Sequence, residues 1–129
     1  MTLPVTAFYA ALLTLIYIVL VQLVIRTRLQ VKVGLGENGN DAVLQAVRRQ
    51  GNFVENVPLA IVLMALAEAG GSGALLLNLC GIVLVAARLI HPFGIDVGRP
   101  SHPARILGAV ATTAVLLVLA VTLILQRLI

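Results

Sequence analysis

The chain has 129 residues, of which 60% are apolar, 11% charged and 4% aromatic, with one cysteine, no tryptophan and a net charge of +4. An ordinary soluble domain is about half apolar and a quarter charged, and a small one leaves much of its surface in water. These figures exclude disorder, a disulfide scaffold and a soluble globule, and leave an all-α integral membrane protein.

A helix needs roughly 20 mostly apolar residues to cross a bilayer. The sequence predicts such spans over residues 3–25, 42–69, 74–91 and 105–126, which leaves a single domain over 1–129 and a four-helix bundle. The first span reads as a retained helix, because Met1–Val5 holds no Lys or Arg and the apolar run exceeds a signal core. Arg26–Asn40, with Gly34, Gly36 and Gly39, reads as a polar first loop, and Asn40 or Asp41 as the cap of the second helix. Gly70–Gly73 reads as a tight uncharged turn, which makes spans two and three antiparallel neighbours. His91–Pro103 carries Pro92, Gly94, Gly98, Pro100 and Pro103, which break a helix.

Charge sets the expected orientation. Arg26, Arg28 and Lys32 fall in the first loop and Arg99 in the third, while the second loop has no basic residue. The positive-inside rule then puts loops one and three in the cytoplasm and both termini on the other side.

The second helix carries the chemistry. At ~100° per residue, Gln45, Arg48, Arg49, Asn52, Glu55 and Asn56 fall within about 120° of one another. Val43, Val47, Val54 and Val57 lie opposite. Charged side chains facing lipid cost on the order of several kcal/mol each, so this sector faces the bundle interior, an aqueous cavity or a partner subunit. Arg26 near the end of the first helix, Arg88 and His91 at the end of the third, and Arg105 at the start of the fourth gather at the same membrane level. Several guanidinium groups around the carboxylate of Glu55 make a receptor for a small anion. The plainer alternative is an Arg–Glu pair that only fixes helix register.

Other conspicuous side chains read more simply. Cys80 is expected to be an inert packed thiol, and Tyr9 and Tyr17 packing residues. His102 and Glu68 are expected to be solvated, the latter at a helix end. His91, His102 and Asp96 lack zinc spacing, so no metal is assigned. The basic loops suit anionic membrane lipid, and without interleaved aromatics they do not point to nucleic acid.

Arg48-Arg49-Gln50-Gly51-Asn52-Phe53-Val54-Glu55-Asn56-Val57-Pro58 has the pattern R-x-Q-G-N-x-x-E-x-x-P. It resembles the second-helix signature of the MAPEG family, the membrane-associated proteins in eicosanoid and glutathione metabolism. The charged first loop, the short second turn and Ala87-Arg88-Leu89-Ile90-His91 extend the resemblance over nearly the whole chain, which looks like a small bacterial, inner-membrane member. The resemblance implies a homotrimer that binds glutathione at subunit boundaries near the cytoplasmic face and meets lipophilic substrates through the membrane. Arg48, Asn52 and Glu55 match the positions that hold the tripeptide, Arg26 a contact from an adjacent subunit, and Gln50 a less general contact. Arg88 and His91 match pocket-lining positions, and Arg105 the arginine that activates the thiol. In that reading Glu55 takes the ammonium, Arg26, Arg48 and Arg88 take carboxylates, and Arg105 stabilises the thiolate.

The chain departs from the pattern in three places. Ile95 and Asn56 stand where tyrosines are common, and Ile106 follows Arg105 where one branch has a serine. A binding site therefore transfers more fully than a defined reaction. The expected function is a glutathione transferase, with glutathione-dependent peroxidase activity open to the same chemistry. The alternative is a non-catalytic membrane protein whose polar helix serves trimer assembly or binds an anionic lipid or metabolite.

Overall fold

Proline loses nothing at the first position of a helix, where its missing N–H has no intrahelical partner. Pro4 and Pro103 each open a helix in this way. The computed structural model describes residues 2–128. It consists of α1 (Pro4–Val31), α2 (Asp41–Ala69), α3 (Ala74–Ile90), a 3₁₀ turn (His91–Gly94) and α4 (Pro103–Leu128). All four long helices, α3 counted through Gly94, have the length and apolar composition to cross a membrane. Only 17% of the most apolar stretch of α1 is buried within the bundle, so most of its apolar surface faces outward from the single chain.

The caps explain where the helices stop. Asn40 accepts a hydrogen bond from Val43 N at 3.1 Å and opens α2, as its side-chain chemistry predicts. α1 runs six residues past the expected edge at Ile25, through Arg26, Thr27 and Arg28. The end of an apolar run marks the membrane boundary, whereas the helix continues until its backbone is capped. That happens at Lys32, which takes a left-handed conformation (φ 57°), and Val33 N then donates to Arg28 O at 3.1 Å.

The short turn at Gly70–Gly73 does not make α2 and α3 packing neighbours. α2 packs on α1 and α4, α3 packs on the same two helices, and α2 and α3 touch only lightly across the diagonal. Two glycines explain the arrangement. A methyl group on Gly81 would overlap the Tyr9 ring, so α3 approaches α1 closely there. A methyl group on Gly108 would sit 2.7 Å from His91 Cβ and 2.9 Å from Ala87 O, so α4 meets α3 almost backbone to backbone. Tyr9 is buried and donates to Asn78 Oδ1 at 2.9 Å, Tyr17 stacks on Phe53, and Cys80 is enclosed in the core with Leu13, Met64, Leu84 and Leu119.

Glu68 is not a free solvated side chain. Its carboxylate accepts from Val5 N at 3.0 Å and Thr6 N at 2.8 Å, so it caps the exposed N–H groups of α1 from another helix. An anion at a helix N-terminus is favoured by both the hydrogen bonds and the helix dipole. Glu68→Ala should therefore destabilise the bundle by about 1 kcal/mol. The expected result is a lower melting temperature in detergent together with faster hydrogen exchange at Val5 and Thr6. An unchanged exchange rate there would show that the cap contributes nothing.

Candidate functional site

Arg88 is the most enclosed charge in the molecule, 2% exposed at the end of α3. Its Nη1 donates to Asn52 Oδ1 on α2 at 2.8 Å, and its Nη2 donates to Gly108 O on α4 at 2.9 Å. One planar guanidinium thus fixes the side chain of Asn52 and ties three helices together at the membrane level of the polar sector.

In front of Asn52 lies a cavity of about 220 Å³ between α2, the 3₁₀ turn, the following loop and the start of α4. Its polar lining is Gln45, Arg48, Asn52, His91, Asp96 and Arg105. Gly94 sets the position of Arg105, because any side chain on Gly94 would overlap the Arg105 backbone. The Arg105 guanidinium remains exposed and donates to Pro100 O at 3.2 Å. The loop is pinned by Asp96, which accepts from Gly98 N at 2.9 Å, and by Arg49, whose Nη2 donates to Ile95 O at 3.0 Å. His102, expected to be solvated, accepts from Ala104 N at 3.2 Å and caps α4. The cavity wall is therefore built from short-range turn bonds at Asp96 and His102, anchored to α2 by the Arg49–Ile95 bond.

The arc of polar residues on α2 divides. Val43, Phe53 and Val57 are buried and Val54 is 46% exposed, so the core face of α2 begins at one edge of the polar sector. Gln45, Arg49 and Asn52 turn inward. Arg48 and Glu55 turn outward, paired at 3.4 Å across Gly51 and 53% and 55% exposed in the single chain.

Of the residues singled out from the sequence, Arg48, Asn52, His91 and Arg105 line one cavity. Glu55 is not part of that lining and pairs with Arg48 beside it. Arg88 stands behind Asn52 and lines a separate groove between α1 and α3. Gln50 is half-buried and Arg26 exposed, and neither lines the cavity. Sequence reasoning assigned neither Gln45 nor Asp96 to the site. The Asp-x-Gly spacing of a turn was the available signal for Asp96, but it gave no indication of which helix the turn would face. Among the described residues no three His, Cys, Asp or Glu side chains gather as a metal set.

A family model for the MAPEG family matches residues 6–125, from the first turn of α1 to the last turns of α4. The chain belongs to the MAPEG family. It is 41% identical over 90 residues to inner membrane protein YecN of Escherichia coli strain K12, covering 70% of this chain and 69% of that protein. The protein of the same name from Escherichia coli O6:H1 matches to the same extent. No solved structure matches. The MAPEG match takes in both walls of the cavity, since Arg48 and Asn52 lie on α2 and Arg105 on α4.

Proposed function

We propose that this MAPEG protein is a multi-pass inner-membrane glutathione transferase that conjugates glutathione to lipophilic electrophiles entering from the bilayer. The observation that carries the reading is the convergence of Arg48, Asn52, His91 and Arg105 on one polar cavity at the end of an apolar bundle. Glutathione has two carboxylates, one ammonium and a thiol, and needs several cations with a well-placed anion. Arg48 takes a carboxylate, Glu55 the ammonium, Asn52 and His91 backbone amides, and Arg105 the thiolate. Arg88 acts as a positioning residue, because it orients Asn52 rather than reaching the cavity.

Glu55, Arg26 and Gln50 lie outside the cavity of one chain, which supports a site completed between subunits. An Arg–Glu pair more than half exposed at membrane depth calls for a protein partner. A homotrimer in which an adjacent subunit delivers Arg26 and Gln50 meets that need, and native mass spectrometry in mild detergent should show trimers rather than monomers. The inner-membrane location rests on the name of the Escherichia coli relative. Loops one and three face the cytoplasm in this reading, so reporters fused to the two termini should give non-cytoplasmic signals. The outward Arg48–Glu55 pair also favours a second reading, an assembly protein without turnover.

Glutathione should raise the melting temperature of the purified protein, and a matched anionic tripeptide should not. Glu55→Gln should weaken glutathione binding by about 10- to 100-fold, the effect of losing one charge-assisted hydrogen bond, while the unliganded protein melts as before. Stabilisation without any glutathione-dependent turnover of a general electrophile selects the assembly reading. Equal stabilisation by both peptides overturns the assignment of glutathione.

A further inference from the structure

On the α1–α3 side of the bundle, a second groove of about 340 Å³ opens toward the membrane. Its walls are apolar, with Leu15, Val19 and Leu23 on α1 and Leu89 on α3. Leu15 to Leu23 spans about 12 Å at 1.5 Å rise per residue, a length suited to part of one extended hydrocarbon chain. The volume lies in the range of ligand sites, roughly 300–1,000 Å³. Yet Arg49 and Arg88 also line it.

Both guanidiniums are incompletely satisfied there. Arg49 Nε and Arg88 Nε are each buried with no hydrogen-bond partner among the described residues. Arg88 is 98% enclosed, since it is 2% exposed. Among the described residues the one ion pair is Arg48–Glu55, and Asp96 lines the other cavity, so no carboxylate answers these two cations. A buried charge without a counter-charge is strongly unfavourable, and a buried donor left unpaired adds to that cost. An anion held against the two Nε donors would offset that cost. The bilayer supplies one continuously in its headgroups, at the level where α3 ends.

We propose that this groove holds one acyl chain of an anionic glycerophospholipid whose phosphodiester sits on Arg49 and Arg88. The second chain stays in the bilayer, because the groove has room for one. The phosphate oxygens take the Nε donors after a small rotation of the half-buried Arg49 side chain, while Arg88 keeps its Nη bonds to Asn52 and Gly108. The groove lies across Arg88 from the α2–α4 cavity and its assignment does not rest on the glutathione reading, although Arg49 and Arg88 also brace that cavity through Ile95 O and Asn52 Oδ1.

The test is native mass spectrometry of the full-length protein released from nanodiscs of mixed phosphatidylglycerol and phosphatidylcholine. One phosphatidylglycerol per chain should be retained in preference to phosphatidylcholine by about tenfold, the effect of a charge-assisted contact. Val19 is 58% exposed on the groove wall, so Val19→Trp should fold normally, fill the groove and abolish retention. Arg49→Gln should remove the headgroup preference. A phosphatidylglycerol carrying a photoreactive chain should label peptides from α1 and α3. Equal retention of the two lipids, retention unaffected by Val19→Trp, or labelling confined to α2 and α4 would each overturn the proposal. Displacement of the lipid by oleate would reassign the groove to free carboxylates, and displacement by glutathione would merge it with the other cavity. Both results also overturn it.

Discussion

Arg105→Ala should lower glutathione-dependent turnover by about 30- to 1,000-fold while changing glutathione affinity little. The Gly94 contact sets the Arg105 backbone, and the exposed guanidinium donates to the Pro100 carbonyl at the cavity rim. It has no role in holding the core, so its loss should leave the melting temperature unchanged. A free thiol near pKa 8.5 is mostly protonated at neutral pH, and an adjacent guanidinium favours the thiolate, which is the nucleophile. That charge is fullest in the reactive form, so the interaction acts on turnover more than on binding. One well-directed charge contact contributes on the order of 2–4 kcal/mol, which sets the stated range. Thiolate absorbance of the bound complex gives a readout that does not depend on the electrophile chosen. Intact turnover and intact thiolate in Arg105→Ala would leave Arg105 as an anchor at the membrane surface.

The sequence made the four helices legible because membrane spans are a composition signal, strong over about 20 residues. Helix ends were less legible. α1 continues through Arg26–Val31 because helix capping and lipid contact obey different rules, and only the second is visible as hydropathy. Packing partners were the least legible. A tight turn at Gly70–Gly73 constrains the direction of α3, but the close contacts at Gly81 and Gly108 decide what it touches. The same separation holds for Glu68. Its place at the end of the second helix was readable, but the N-terminus of α1 that it caps was not. In the site, the helical spacing of Arg48, Asn52 and Glu55 was plain, yet that periodicity alone could not divide inward Asn52 from outward Arg48 and Glu55. That division depends on where the core face of α2 begins, which is a property of three neighbouring helices.

Arg88→Ala should cost about 3–5 kcal/mol of stability, the cost of a large buried truncation with a hydrogen-bond acceptor left unpaired, or roughly 10–20 °C in melting temperature. The side chain is large and almost fully enclosed, so truncation leaves a void between α2, α3 and α4. It also leaves Asn52 Oδ1 without its donor and removes the tie to Gly108 O. Lysine does not repair this. An ammonium on a flexible stem cannot present two donors in the fixed fork that reaches α2 and α4 together. Arg88→Lys should therefore recover only part of the stability. Gly108 offers an independent perturbation of the same joint, because Gly108→Ala places a methyl group 2.7 Å from His91 Cβ and pushes α4 away from α3. Both Arg88→Ala and Gly108→Ala should thus lower the melting temperature, and the double variant should lose less than the sum, since either change already breaks the Arg88–Gly108 bond. An Arg88→Ala protein that melts like the parent but no longer binds glutathione would show the opposite. The guanidinium would then belong to the ligand, and Asn52 would hold its orientation without it.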